Sequence, residues 1–194
     1  MYTSIKQAGL IGAACCGIAS AQGTMTFYWD INDTGSDFFL YSGEAVINFK
    51  LYASMDPEQV GFAGSIYEIL GGDEFGSAGV VTLYDNKLDS LTDDGELQGN
   101  NDILDIESFQ LPPFFNPDFD SSNPILLYEI NWEVADFFMI ATLSSANYLN
   151  SAVYTDDLGS SEQYDAITTT ATVLIPAPAS VLPFVGLLAW RRRR

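Results

Sequence analysis

The sequence predicts an all-β protein: an antiparallel β-sandwich of the jelly-roll type, preceded by an N-terminal signal peptide and followed by a short C-terminal hydrophobic helix. Apolar and polar residues alternate with period two in several separate runs, which is the pattern of half-buried strands. Clusters of Gly, Pro, Asp and Asn lie between these runs and indicate turns. About seven strands at this spacing favour two packed sheets over a closed barrel.

Four runs carry the alternation: residues 24–31, 44–52, 125–134 and 167–175. The predicted core residues are Met25, Phe27, Trp29 and Ile31 in the first run, Ala45, Ile47, Phe49 and Leu51 in the second, and Leu126, Tyr128, Ile130, Trp132 and Val134 in the third. In the fourth run the predicted solvent face carries Thr168, Thr170 and Thr172. Further strands are predicted in 60–70, 78–84 and 137–143, although the first of these also fits a helical stripe of Phe62, Ile66 and Leu70.

Residues 1–21 have the composition of a secretory signal peptide. A single lysine and an apolar stretch precede Ala19 and Ala21, which form an A-x-A site and predict cleavage before Gln22. An alternative is a lipoprotein signal acylated at Cys15 or Cys16, but this would cut the apolar stretch short. Cleavage after residue 21 removes both cysteines, so the exported domain would have no disulfide and no thiol nucleophile.

The predicted domain, residues 22–175, is strongly acidic. It contains all 26 acids of the chain against two lysines, Lys50 and Lys87, which gives a net charge of −24. Such a surface repels nucleic acid and anionic lipid, so neither is an expected partner. Its length is that of one domain with a sizeable core.

The composition also restricts the chemistry. The chain has no histidine, which removes the commonest general base and the Ser-His and Cys-His nucleophile arrangements. Glycoside hydrolysis by two carboxylates remains as an alternative, but 26 acids do not single out a pair. We therefore predict a non-enzymatic protein.

The densest polar segment, residues 85–107, contains a candidate calcium site. Oxygen ligands crowd near glycines there, as calcium requires, but their spacing does not match an EF-hand. The alternative is a solvated acidic loop without a metal. The candidate ligands are Asp93, Asp94, Glu96, Asn100 and Asp102.

Aromatic residues predict a second alternative function, a glycan-binding module that calcium could assist. Such a module presents a few rings on one exposed face beside amides and acids. Tyr28, Tyr52 and Tyr67 are predicted to be outward-facing rings, and Phe114 and Phe115 are predicted to form an exposed apolar patch. Core packing is the competing explanation for these rings.

The last 19 residues, 176–194, form a three-part tail. It begins with Pro176, Ala177 and Pro178, continues as an apolar segment to residue 190, and ends with Arg191, Arg192, Arg193 and Arg194. As a helix the apolar segment would be about 21 Å long, which is short for a hydrocarbon core of about 30 Å. Clustered arginines stay on the cytoplasmic side, so the domain would lie outside the cytoplasm.

This tail resembles the PEP-CTERM sorting signal of bacterial exosortase substrates, with Ala177 in the position of the usual glutamate. The resemblance implies transient membrane insertion of the tail and processing by an exosortase-type protease. It also implies release or attachment at the cell surface or in extracellular polysaccharide. A plain tail anchor is the alternative.

The domain itself resembles a second group of exported modules. Residues 46–52, the Asp56-Pro57 turn, and the runs 62–70 and 126–132 follow one another in a rhythm similar to the cohesin-type sandwich. This resemblance implies the architecture and no particular partner.

Overall fold

The computed structural model describes residues 24–88, 91–136 and 139–176. The predicted signal peptide, the cleavage site at Ala19, Ala21 and Gln22, and the tail from Ala177 to Arg194 lie outside the described residues. The described strands are β1 (Met25–Ile31), β2 (Phe38–Leu40), β3 (Ile47–Ser54), β4 (Gly61–Leu70), β5 (Gly79–Asn86), β6 (Glu96–Leu97), β7 (Ile103–Phe109), β8 (Ile125–Val134), β9 (Met139–Tyr154), β10 (Ser161–Gln163), β11 (Ala166–Thr168) and β12 (Thr170–Ile175), and the helix is α1 (Gly72–Ala78).

These strands form two sheets. The five-stranded sheet has the order β11-β1-β3-β8-β5, and the seven-stranded sheet has the order β2-β12-β9-β4-β7-β6, with β10 paired to β9. The predicted β-sandwich is therefore confirmed, but the sheets are mixed, because β1 pairs with β11 and β12 pairs with β2 in parallel.

The parallel pairs arise where the chain crosses from one sheet to the other. β11 lies beside β1, and the chain then passes through Thr169, whose N–H donates to the carbonyl of Phe27 at 3.1 Å. β12 follows directly and pairs with β9 in the opposite sheet. The last strands therefore join the two layers.

The core lies between the inner faces of the two sheets. All four predicted residues of β1, and Ile47, Phe49 and Leu51 of β3, are buried as expected. Ala45 is exposed because β3 begins at Ile47. In β8, Ile130 and Trp132 are buried, whereas Leu126 and Val134 are only half-buried. A register shift in the β3–β8 pairing, at Leu51 and Tyr52, accompanies the change of face at Leu126, whereas Val134 packs against the core at the end of the strand.

A cluster of four aromatic residues fills one end of the core. Trp132 stacks on Phe75 of α1, with ring centroids 4.7 Å apart, and meets Phe49 edge to face at 6.2 Å. Trp29 also packs edge to face against Phe49. The short helix thus closes this end of the sandwich with one buried ring, Phe75.

Candidate binding surfaces

The outward side of the five-stranded sheet carries ordered rows of polar and aromatic side chains, which we call the polar face. Its aromatic row is formed by Tyr28 of β1 and Tyr52 of β3, which are direct cross-strand partners. Their rings stack with centroids 5.6 Å apart and an interplanar angle of 15°. Both rings are half-exposed, so the prediction that they face outward is confirmed.

The next row along the strands is charged. Asp30, Lys50, Glu129 and Asp85 are successive partners across β1, β3, β8 and β5. The Lys87 ammonium group binds Asp85 at 2.6 Å and Glu129 at 2.8 Å. Lys50 pairs with Asp33 at 2.6 Å. Both lysines of the acidic domain therefore lie on this face.

An amide row lies beside the charged row. The side-chain amide of Asn48 donates to Glu129 at 2.7 Å and to Asn131 at 2.8 Å. The hydrogen bond from Lys87 lowers the pKa of Glu129, against the opposing effect of desolvation, and the bond from Asn48 lowers it further. The hydrogen bond to Asp85 is the largest cause of a raised pKa at Lys87.

Glu129→Gln is expected to reduce stability in a pH-dependent way. Because folding lowers the pKa of Glu129 below 4.5, its carboxylate stabilises the folded state above that pH. This contribution is lost as the pH falls through the lowered value. Urea midpoints of both proteins between about pH 3 and about pH 7 should therefore converge at the acidic end. A difference that stays constant with pH would contradict this explanation, and Glu133→Gln, exposed on the same strand, is the matched control.

The seven-stranded sheet carries a different feature on its outward side, a groove of about 300 Å³. Its lining residues are Ala63, Gly64, Leu91, Phe109, Gln110, Leu111, Ala152, Tyr154, Gly159 and Ser161. Gly64 is the cross-strand partner of both Phe109 and Ala152. A Cβ atom at Gly64 would lie 1.9 Å from the Phe109 ring. The glycine therefore allows the ring to lie against the sheet.

Two loops anchored by hydrogen bonds form the walls of this groove. Gln110 donates to the carbonyls of Phe62 and Asp120 at 3.1 Å each, and accepts from the N–H of Asp120 at 2.9 Å. The Tyr154 hydroxyl donates to the Gln110 carbonyl at 2.7 Å. The Phe114 N–H donates to the Asp157 carbonyl at 3.0 Å, which joins the loop after β7 to the loop after β9.

The second of these loops is held by Asp156. Its carboxylate accepts backbone N–H groups of Leu158, Gly159 and Ser160, each at 2.9 Å. Hydrogen bonding, first of all from the Ser160 side chain, lowers the pKa of Asp156. The carboxylate therefore fixes the loop that presents Gly159 to the groove.

The groove and its loops expose large apolar side chains. The exposed fractions are 67% for Leu91, 41% for Leu111, 69% for Phe114, 62% for Phe115 and 67% for Leu158. The predicted exposure of Phe114 and Phe115 is thus confirmed, and the two rings pack edge to face at 5.1 Å.

The charges around the groove are acidic. Asp93 forms an isolated β-bridge with Glu107 of β7, and Glu162 follows the lining residue Ser161. Asp156 and Asp157 belong to the loop after β9. The two lysines of residues 24–176 lie on the polar face of the other sheet. An apolar groove with an acidic surround is therefore available to a cationic partner.

The carboxylates of three candidate calcium ligands accept hydrogen bonds from neighbouring backbone or side-chain groups. Asp94 accepts the Asn86 N–H at 2.8 Å, and Asp102 accepts the Gly71 N–H at 2.8 Å and the Asn100 amide at 2.7 Å. Asp93 accepts the Gly95 N–H at 2.9 Å. Glu96 lies in β6 and is exposed. Within the described part of the chain, three or more acids do not meet in a group that could hold a metal ion.

The prediction that Tyr67 faces outward with Tyr28 and Tyr52 is wrong. It is fully buried, and its hydroxyl lies 2.9 Å from that of Ser108 inside the sandwich. Alternation in β4 places Tyr67 inward, because its neighbours Ile66 and Glu68 are the half-exposed residues. Burial raises the pKa of Tyr67, so its hydroxyl stays neutral.

No helix within the described ranges has the length and apolar character needed to cross a membrane. The predicted hydrophobic helix of the tail lies beyond these ranges.

No protein-family model matches the chain, and no curated protein matches it. Several of the solved structures that are similar to this chain are cohesin modules. They include the cohesin module of a family 33 glycoside hydrolase from Clostridium perfringens, with 13% identity, a TM-score of 0.50, and coverage of 81% of this chain and 98% of that one. The seventh ScaB type I cohesin of Pseudobacteroides cellulosolvens has 10% identity and a TM-score of 0.52, and the match covers 80% and 95% of the two chains.

A third similar structure is the third ScaC cohesin of Acetivibrio cellulolyticus, solved in complex with the ScaB dockerin. Its identity is 12%, its TM-score is 0.52, and the match covers 80% of this chain and all of that one. The chain therefore has a cohesin-like sandwich fold, as the rhythm of its strands predicted.

Proposed function

We propose that this protein is a non-enzymatic, exported binding module that holds a polypeptide partner in the groove of the seven-stranded sheet. The observation that carries the proposal is the groove itself, which is largely apolar, has walls held by hydrogen bonds and is surrounded by acids. Exposed apolar patches with a polar rim mark protein interaction sites. The partner's matching chemistry is one or two large apolar side chains next to Arg or Lys.

Two further points support a binding role. The groove lining contains no carboxylate, so the pair of acids that glycoside hydrolysis needs is absent from these lining residues. One cohesin with this fold is described in complex with a dockerin, which is a polypeptide partner. Calcium binding by Asp93, Asp94, Glu96, Asn100 and Asp102 remains a proposal that a calcium titration of the purified protein would test.

Two fluorescent peptides of equal charge test the groove. Each carries four arginines, but one has leucines where the other has serines. The purified protein is expected to bind the leucine peptide at least about tenfold more tightly in fluorescence anisotropy, because both the groove and its surround contribute. Equal binding of the two peptides would show attraction by net charge alone and would overturn the proposal.

Leu91→Asn is the variant that tests the location. Leu91 is exposed and has a φ of 52°, a conformation that Asn tolerates, so the change removes an apolar wall at little cost in stability. We expect it to weaken binding of the leucine peptide by about tenfold. Leu40→Asn, at an exposed leucine on β2, is the matched control and should leave binding unchanged.

We also propose that the tail sorts the protein, as its resemblance to exosortase substrates implies. Export would place the domain outside the cytoplasm, at the cell surface or in extracellular polysaccharide. The protein recovered from the envelope and medium is then expected to begin at Gln22 and to end near Pro178, which intact mass would show. A species that still carries Arg194 would contradict tail processing and would favour a plain anchor.

A further inference from the structure

We propose that the polar face of the five-stranded sheet is a second binding site, which takes a neutral polysaccharide across the Tyr28–Tyr52 pair. It lies on the opposite side of the sandwich from the groove and does not depend on the groove's function. The proposal uses three properties of this face: its paired tyrosine rings, the order of its rows and the ion pairing of its two lysines.

The face is the outward side of four neighbouring paired strands, β1, β3, β8 and β5. Tyr28 and Tyr52 lie on adjacent strands, about 4.8 Å apart, and the charged row lies two residues further along each strand, at about 7 Å. These spacings are close to the dimensions of a sugar ring. A saccharide resting on the tyrosines would therefore have the charged row within hydrogen-bonding reach of its hydroxyl groups.

The chemistry of the rows suits a sugar. Tyrosine combines an apolar ring with a polar hydroxyl group, so it can pack against the C–H face of a pyranose and also hydrogen-bond to it. Desolvation, as the largest cause, raises the pKa of both Tyr28 and Tyr52, which keeps their hydroxyls neutral. Asp30, Lys50 and Glu129 in the next row supply acceptors and donors.

The charges select a neutral ligand. Lys50 is paired with Asp33, and Lys87 is held between Asp85 and Glu129, so both cations of the face are already neutralised. The remainder of the domain is strongly acidic. A uronic or sulfated polysaccharide would be repelled, whereas a neutral chain would not.

Native gel electrophoresis of the purified protein, in gels that contain a soluble polysaccharide, tests this site. The probes are hydroxyethylcellulose, galactomannan, xyloglucan and dextran, with dextran sulfate as the anionic comparison. We expect slower migration in at least one neutral gel relative to a gel without polysaccharide. Unchanged migration in all four neutral gels, or slower migration in the dextran sulfate gel alone, would overturn the proposal.

Variants of the tyrosine pair test the location. Tyr52→Ala is expected to raise the dissociation constant by about tenfold, whereas Tyr52→Phe, which keeps the ring, should have a much smaller effect. Melting curves of both variants show whether the fold is retained, and Tyr28→Ala provides a second ring deletion if Tyr52→Ala fails to fold. Phe38→Ala, which removes an exposed ring on β2 of the other sheet, is the matched control. Equal retardation of Tyr52→Ala, Tyr28→Ala and the unchanged protein would overturn the site.

Discussion

Replacing Trp132 by alanine is expected to destabilise the domain by about 3–5 kcal/mol, because it opens a large cavity in the core. Trp132 is fully buried, and it links β8 to α1 through its stack on Phe75. It also fills the space that Gly79 leaves, where a Cβ would lie 2.4 Å from the indole ring. Urea unfolding followed by circular dichroism measures the loss.

Trp132→Phe separates loss of volume from loss of the indole. The indole N–H of Trp132 is buried and has no hydrogen-bond partner among the described residues, so phenylalanine removes a polar group that makes no bond there. Phenylalanine also retains a ring that can stack on Phe75. We expect the cost to be about 2 kcal/mol smaller than that of alanine, because phenylalanine leaves a much smaller cavity. Equal destabilisation by Phe and Ala would show that the packing argument is wrong.

Replacing Asn101 by alanine is expected to cost about 2–4 kcal/mol. Asn101 is 8% exposed, and its amide donates to the Gly79 carbonyl at 2.8 Å and accepts the Val81 N–H at 3.3 Å. Alanine leaves both backbone groups at the start of β5 without these partners. It would also have to hold a φ of 66°, which Asn adopts at lower cost.

Two further variants separate the loss of the Asn101 side-chain hydrogen bonds from the backbone cost of a positive φ. Asn101→Gly keeps the left-handed backbone but loses the side-chain bonds, so it should cost about 1 kcal/mol less than alanine. Asn100→Ala, at an exposed neighbour, should cost less than about 1 kcal/mol. Chemical denaturation of all three variants provides the comparison, and similar losses at positions 100 and 101 would contradict the assigned role.

The strands that the sequence predicted correctly have regular alternation and large apolar residues. β1 and β3 show this, with their core residues facing inward as expected. In β7 the signal fails, because Asp105 has a φ of 57° and interrupts the alternation between Ile103 and Ile106. The predicted acidic segment, residues 85–107, therefore contains most of this strand.

The sequence does not predict the full length of β9, for a different reason. It extends to Tyr154, well beyond the predicted 137–143, through a stretch of Ser and Asn residues that has the composition of a turn. These polar residues are tolerated because they hydrogen-bond to residues far away in the chain. Ser151 lies 2.9 Å from Ser65 in the interior, and the half-buried Ser144 donates to the Leu70 carbonyl. Local composition cannot report such distant partners.

The two candidate surfaces also differ in how far the sequence predicts them. Tyr28 and Tyr52 could be placed outward from sequence, because each belongs to a regular strand. The groove could not be predicted, since it joins Gly64, Phe109 and Ala152 from three distant strands with loops that hydrogen bonds fix. Of the groove and its loops, the neighbouring sequence predicts only the exposure of Phe114 and Phe115.

The pairing of β11 with β1 has a kinetic consequence. Met25 and Ala166 are neighbours in the sheet, although about 140 residues separate them in the chain. Folds dominated by such distant pairings form slowly, in about milliseconds to seconds. The entropy cost of closing a long loop arises before the stabilising contacts between its ends can form. The five-stranded sheet therefore cannot be completed until almost the whole domain has emerged. An export route that threads unfolded chains would have time to act before the sandwich closes.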